Sequence, residues 1–256
     1  ADLRAALRLG HLHLHYQPQV SGPAGAVLYG VEALARWQHP QRGAVRPDQF
    51  IPLAEECGLI DELSRWSLGE ACRQMADWRA RGVAVPRVAV NVSARNFQNP
   101  GLPALVAELL RQHGLRPQDL TLEMTESVVM DTTAGVPATI DAVQALGVHL
   151  SLDDFRTGYS SLGYLHRLPI HELKLDKSFV QDLVDNAAAR ALTNTVLRIG
   201  DGLDLVVVAE GVETVLQAEF LTSRGCRVLQ GYLYARPMPA DGLEQWLTAR
   251  CADAGP

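Results

Sequence analysis

Asp153 and Asp154 are the residues from which chemistry can first be read. They follow the apolar run His149 to Leu152, which predicts a buried strand, and they precede a loop containing Gly158. Two adjacent carboxylates at the end of a buried strand repel one another, and a divalent cation between them relieves that repulsion. An Asp-rich strand-to-loop turn, with one residue capping the next helix, is the plain alternative. The pair alone leaves both readings open.

The other predicted strands carry the same kind of residue at their ends: Glu32, Asn91, Glu123, Lys174 with Asp176, Glu210 and Gln230. A single acid at a strand end is a cap; a whole set of them is a concentrated patch of negative charge that calls for metal. Oxygen donors, with no Cys or His among them, favour Mg²⁺ or Mn²⁺ over Zn²⁺. The surplus of acids predicts two ions, with Asp153 or Asp154 bridging them. Ions about 3.5–4 Å apart clamp the attacking and leaving oxygens of an in-line phosphoryl displacement. Lys174 supplies a point positive charge for a phosphoryl oxygen or an attacking water, unless it is a surface lysine flanking a strand. Arg36, just beyond Glu32, either grips a phosphate or is an exposed arginine.

These residues need a frame that gathers strand ends. Ala1 to Leu9 predicts a short helix, and His11 to Gln19 alternates with period two, placing His11, His13 and His15 on one strand face. Three such histidines suit a metal or the polar side of a peripheral strand; no acidic partner adjoins them. A turn at Gly22 to Gly25 leads to a strand from Val27 to Leu34. Pro47 opens a helical region, and a long helix runs from about Asp61 to Arg81, ended by Gly82. The chain then alternates. Strand Val88–Val92 precedes helix Leu102–His113, Leu120–Met124 precedes Val136–Leu146, and His149–Leu152 precedes a short helix from Ser160 to Leu168. Strand Glu172–Leu175 precedes a helix from Ala187 to Ile199, Leu205–Ala209 precedes Val215–Arg224, and Val228–Leu229 leads to a closing helix near Leu243–Ala249.

Such repeated strand-helix units predict an α/β fold, a (β/α)8 TIM-type barrel, whose C-terminal strand ends converge on one rim. An open doubly wound sheet is the runner-up, but no Gly-x-Gly-x-x-Gly follows the early strands. The first strand meets the second through a short turn, which joins antiparallel neighbours. One antiparallel strand, the first, is therefore expected.

The bulk properties set outer bounds. At 256 residues, 47% of them hydrophobic, the chain can bury one large core, and a net charge of −6 argues against a sequence-independent DNA or RNA binder. Cys57, Cys72, Cys226 and Cys251 are scattered without a Cys-x-x-Cys pair, as in a reducing cytoplasm. No apolar run is long enough to span a membrane. A start at Ala1-Asp-Leu-Arg without methionine leads us to expect a single domain, residues 1–256, excised from a longer multidomain signalling protein whose regulatory parts or membrane anchor lie elsewhere.

Read together, Glu32-Ala-Leu-Ala-Arg36, Asn91-Val-Ser93, Glu123-Met-Thr-Glu126-Ser127, Asp153-Asp-Phe-Arg-Thr-Gly158, Lys174-Leu-Asp176, Ala209-Glu-Gly-Val-Glu213 and Gln230-Gly-Tyr232 resemble the EAL-domain cyclic di-GMP phosphodiesterases. The resemblance runs from about Leu3 to Trp246 and includes Tyr16-Gln-Pro18 and Phe50-Ile-Pro-Leu-Ala-Glu55. It implies hydrolysis of one phosphodiester of cyclic di-GMP to linear 5'-pGpG with two Mg²⁺ or Mn²⁺ ions. Glu32, Asn91, Glu123 and Asp153 would hold the first ion; Asp153, Asp154 and Glu210 would hold the second. Lys174 would position the attacking water, supported by Asp176 and Glu213, and Glu126 would steady the loop after Asp154. Gln17, Leu34, Arg36 and Gln230 would contact the nucleotide. A homodimer through that loop and its neighbouring helix is implied as well.

One position departs from the family pattern: Arg156 stands where the first glycine of Asp-Asp-Phe-Gly-Thr-Gly is usual. It removes no metal ligand, and what it touches is dimer geometry and regulation. The rival reading, a non-catalytic cyclic di-GMP receptor, predicts lost ligands or a lost lysine, and this sequence keeps them. Another two-metal barrel hydrolase is a third reading, which a comparison of phosphodiester substrates separates.

Overall fold

A computed structural model describes residues 2–22, 27–130, 135–155 and 165–253, without the side chains of Val129, Asp154, Cys251, Ala252 and Asp253. Nine strands form one sheet: β1 (Leu12–Ser21), β2 (Val27–His39), β3 (Gly43–Val45), β4 (Val88–Asn91), β5 (Leu120–Thr125), β6 (His149–Phe155), β7 (Glu172–Leu175), β8 (Val206–Ala209) and β9 (Val228–Gln230). Their order is β1-β9-β8-β7-β6-β5-β4-β2-β3, and β1 also pairs with β2, so eight strands close a ring and β3 hangs from β2. Only β1 of those eight runs against its neighbours, antiparallel to both β2 and β9. This is the expected barrel with its expected reversed strand.

The helices are α1 (Asp2–Leu9), α2 (Pro47–Glu56), α3 (Ile60–Ala80), α4 (Ala94–Phe97), α5 (Leu102–His113), α6 (Glu126–Met130), α7 (Val136–Ala145), α8 (Lys177–Gln181), α9 (Ala187–Gly202), α10 (Val215–Ser223) and α11 (Ala240–Asp253). Pro47 starts α2 because the first helical position needs no N–H, and α5 ends at Gly114, whose φ of 62° suits a residue without Cβ. The main core lies between the barrel and its helices, with Leu120, Leu122, Leu150, Leu173 and Leu175 fully buried. A smaller core packs α1, α2 and the start of α3 against Leu12 and Trp37.

Three expectations change. Strand β2 does not stop at Leu34 but continues to His39, because Trp37 and His39 bury on either side of exposed Gln38 and residues 37–39 pair with β3. Beyond Ala33, β2 has no partner in β4, so the β1–β2 ribbon stands above the rim. Strand β6 does not end at Leu152. It runs to Phe155, which is fully buried and pairs with Leu175 after a register shift, so Asp153 and Asp154 belong to an irregular strand end and not to the loop. The short helices α4, α6 and α8 were not anticipated. Residues 23–25 of the predicted turn, the loop position Arg156 and residues 160–164 of the predicted short helix lie outside the described residues.

Candidate active site

Alternation along β7 sends Leu173 and Leu175 into the apolar core and leaves Glu172 and Lys174 pointing into the barrel. Lys174 is fully buried, which excludes the surface-lysine reading. Its Nζ lies 2.7 Å from Oε1 of Glu210, 2.9 Å from Oε2 of Glu123, 3.4 Å from Oε1 of Glu32 and 3.5 Å from Oδ2 of Asp153. Strands β2, β5 and β6 and the residue after β8 thus send four carboxylates to one ammonium.

Amides tie down the outer side of this cluster. Asn91 Nδ2 donates to Oε1 of Glu32 at 2.8 Å, and Gln230 Nε2 donates to Oε2 of Glu32 at 2.6 Å and to Oε1 of Gln17 at 3.1 Å. Register explains the convergence: Gln17 sits opposite Glu32, Gln19 opposite Gln230, and Asn91 beside Glu123. Gln19, which the sequence reading passed over, donates to Oε1 of Gln230 at 3.0 Å and fixes that amide. Its signal was there in Gln17-Pro-Gln19, two glutamines on one face of a strand.

Burial and crowding set the protonation tendencies. Burial alone would strip the Lys174 proton, but Asp153, Glu123, Glu210 and Glu32 hold it well above the usual lysine range. Burial pushes Glu123 well above the usual carboxylate range, with Glu32 adding and Lys174 opposing. Glu210 is pushed up to about 7, again chiefly by burial. Glu32 goes the other way: burial works to raise it, but Lys174 and the hydrogen bonds from Gln230 and Asn91 outweigh burial and hold it low. One lysine does not neutralise so many buried acids, and the cluster is short of positive charge.

The donor set suits a hard divalent cation. Oε1 of Glu123 is buried with no hydrogen-bond partner, an acceptor left open inside the cluster. Among the described residues no group of three acids, histidines or cysteines is arranged to hold an ion by itself, because Lys174 stands at the point the carboxylates share. The Asp154 side chain lies outside the description.

Other expected residues divide. Leu34 and Arg36 are half-buried on the ribbon above Glu32, and with Ile51, Leu63, Asn91 and Ser93 they line a cleft of about 350 Å³. Asp176 caps α8, its Oδ1 accepting from the Ser178 N–H at 3.0 Å and from the Ser178 hydroxyl. Glu126 opens α6, but the loop it was expected to steady is outside the described residues. Glu213 is exposed, and its backbone N–H donates to Oε1 of Gln217 at the start of α10. Glu210 keeps its place through Gly211, whose φ of 68° and close approach to Lys177 both exclude a side chain. His13 is exposed with its ring 5.6 Å from that of His15, as on the polar face of a strand. A larger cavity of about 740 Å³ beside Trp37, His39 and Phe50 contains none of the rim acids, and size alone does not make it a reaction site.

The EAL domain family model matches residues 1–237. The bifunctional diguanylate cyclase/cyclic di-GMP phosphodiesterase MucR of Pseudomonas aeruginosa is 49% identical over 242 residues, covering 94% of this chain and 35% of its own. The cyclic di-GMP phosphodiesterase NbdA of the same organism is 43% identical over 255 residues, covering 100% of this chain and 32% of its own. This chain therefore spans about a third of the length of these curated relatives. Among solved structures, the PaMucR phosphodiesterase in complex with c-di-GMP superposes with a TM-score of 0.89 at 49% identity, covering 94% of this chain and 98% of that one. Barrel, reversed first strand and sequence agree, and the chain belongs to the EAL domain family.

Proposed function

We propose that this chain hydrolyses one phosphodiester bond of cyclic di-GMP to linear 5'-pGpG. The observation that carries the reading is the buried Lys174 amid Glu32, Glu123, Asp153 and Glu210 at the rim of a chain whose relatives are named as cyclic di-GMP phosphodiesterases. Glu32, Asn91, Glu123 and Asp153 would hold one Mg²⁺ or Mn²⁺ ion, and Asp153, Asp154 and Glu210 a second. The open Oε1 of Glu123 and the shortage of positive charge support that fit. When bound, such ions supply Lewis acidity at phosphorus and make a water more acidic.

The chain's own groups do the rest. Lys174 holds its proton on Nζ and can donate to a water or a phosphoryl oxygen without leaving the site. Gln230, held by Gln19 and Gln17, keeps the Glu32 carboxylate oriented. Arg36 presents a guanidinium to the substrate phosphates, and the apolar wall of Leu34, Ile51 and Leu63 takes a base and excludes water from it. Asp176, two residues beyond Lys174, caps α8 and so helps to position the lysine. The full-length protein would bring regulatory domains, a cytoplasmic setting and a homodimer to this single catalytic domain.

Incubation with cyclic di-GMP and Mn²⁺ or Mg²⁺, followed by chromatography, should yield pGpG. Tight binding without turnover would instead mark a receptor. Faster cleavage of unrelated phosphodiesters would mark a different two-metal hydrolase.

A further inference from the structure

Helix α2 is a wall shared by two clefts. Pro47, Ile51 and Glu55, spaced four residues apart on one helix face, line the cleft of about 350 Å³ beside Leu34 and Arg36. Phe50, Leu53 and Cys57 line the separate cavity of about 740 Å³. Strand β2 divides in the same way by its period of two. Leu34 and Arg36 line the first cleft, and Trp37 and His39 line the second. The shared wall is lightly held. Pro52 removes an interior N–H from α2, no side chain caps its first turn, and only Phe50 and Ala54 of its ten residues are buried. Its anchor to the ribbon is the edge of Phe50 on Trp37, with ring centres 5.9 Å apart at 87°.

The second cavity has the make-up of a small-molecule site, an apolar hollow with a few polar groups. Leu3, Trp37, Phe50 and Leu59 give it a buried apolar floor. Trp37 is 5% exposed, and its Nε1 is buried with no hydrogen-bond partner, a donor left open in apolar surroundings. Asp2, the one acid among the lining residues, lies 3.6 Å from His39 Nε2. Arg4 and Arg42 stand exposed at the mouth, with no carboxylate partner among the described residues.

We propose that this cavity is a regulatory site for a flat apolar molecule bearing a carboxylate, and that its occupation braces α2 against the catalytic cleft. The regulation rests on the reading of that cleft as the cyclic di-GMP site; the ligand class does not. The apolar body lies against Phe50 and Leu53. The carboxylate accepts from the Trp37 Nε1–H, and the Arg4 and Arg42 guanidiniums supply its counter-charge. Filling the space beside Phe50 removes the room into which α2 can retreat, so Ile51 and Glu55 stay at the catalytic cleft. None of the groups around Lys174 sits on α2, so the effect falls on substrate binding and not on the chemical step.

The probe is 2-naphthoate, with 2-naphthylmethylammonium as the same body carrying the opposite charge. Calorimetry on the full chain should show naphthoate binding, and the ammonium binding at least about tenfold more weakly. Trp37→Phe, which keeps an aromatic edge on Phe50 but loses the N–H, should weaken naphthoate about tenfold. Leu53→Trp, which narrows the cavity from its exposed wall, should weaken it as much or more, and it keeps the test open if Trp37→Phe does not fold. Saturating naphthoate should lower KM for cyclic di-GMP about fivefold while kcat stays within about twofold, and the shift should vanish in Leu53→Trp. Absence of naphthoate binding, equal binding in wild type and the folded variants, or equal binding of the ammonium overturns the site. Naphthoate binding that both variants weaken but that leaves KM unchanged overturns the regulation. A wild-type chain that binds naphthoate but neither cleaves nor binds cyclic di-GMP overturns the phosphodiesterase reading and leaves the ligand class of the cavity standing.

Discussion

The Lys174 ammonium and the Glu123 carboxylate meet 2.9 Å apart in the barrel, both fully buried, with three further carboxylates around the same nitrogen. Of these partners Glu32 is held ionised, and a buried ion pair loses several kcal/mol when one partner is removed, because the other charge is left uncompensated. Lys174→Met should therefore lower Tm in the absence of metal. Mn²⁺ should raise Tm more in the variant than in wild type, since the cation then takes over neutralisation. Turnover should drop by about 10²-fold or more through loss of the positioned donor. Calorimetric thermal scans with and without Mn²⁺, beside a pGpG assay, check all of this; undiminished kcat would contradict the role given to the lysine.

Glu32 is held low in pKa by Lys174 and by amide donors from Gln230 and Asn91, so it presents an ionised carboxylate to the rim. Glu32→Ala should abolish pGpG formation and weaken Mn²⁺ binding at one site, while Glu32→Gln should keep the fold but not the activity. Mn²⁺ titration followed by electron paramagnetic resonance reads the metal separately from turnover. Full activity in either variant would sink the assignment.

How far the site was legible varied with the physics behind each residue. Lys174 could be read because period-two alternation between Leu173 and Leu175 admits only an inward side chain. Glu123, Asn91 and Gln230 followed from the rule that barrel strand ends share a rim. The reach of β2 to His39 was missed because Arg36 interrupts the apolar run, and the ribbon's pairing with β3 is a contact the sequence does not display. Asp176 also caps α8, a role legible in Asp-Lys-Ser at 176–178, which is the pattern of a helix cap. The exposure of Glu213 was not legible from motif spacing. Glu213 follows Glu210 closely in sequence, but the turn at Gly211 leaves it exposed at the start of α10.

Among the described glycines, Gly231 approaches a neighbouring backbone most closely, with a Cβ there falling 2.1 to 2.6 Å from the N, C and O atoms of Val212. Because those atoms belong to backbone and not to a flexible side chain, Gly231→Ala must move β9 or the turn after β8. We expect a loss of about 1–3 kcal/mol, toward the upper end, by overpacking. Gln230 and Tyr232 flank the position, so KM for cyclic di-GMP should rise together with the loss of stability. Urea unfolding and steady-state kinetics on the same preparation test the coupling, and a stable variant with unchanged KM would contradict it.

At the opposite end of the barrel, Arg87 Nη1 lies 2.8 Å from Nδ1 of His149, whose ring stacks on His171 at 4.5 Å with a 4° tilt, and 3.2 Å from buried Glu172. Burial, then the Arg87 charge, then His171 push the His149 imidazole down to about 4 from 6.5. In the folded chain His149 stays neutral until pH falls to about 4, whereas the unfolded chain protonates it near 6.5. Between those values the unfolded state binds more protons, so stability must fall as pH falls through this window. His171 is displaced in the same direction, while burial moves Glu172 upward, which favours the folded state as pH falls. Both remain in a His149→Gln variant, so the difference between the two proteins isolates His149. Urea unfolding across the window should give a shallower loss of stability toward low pH in the variant than in wild type, and parallel curves would show that His149 is not the group responsible.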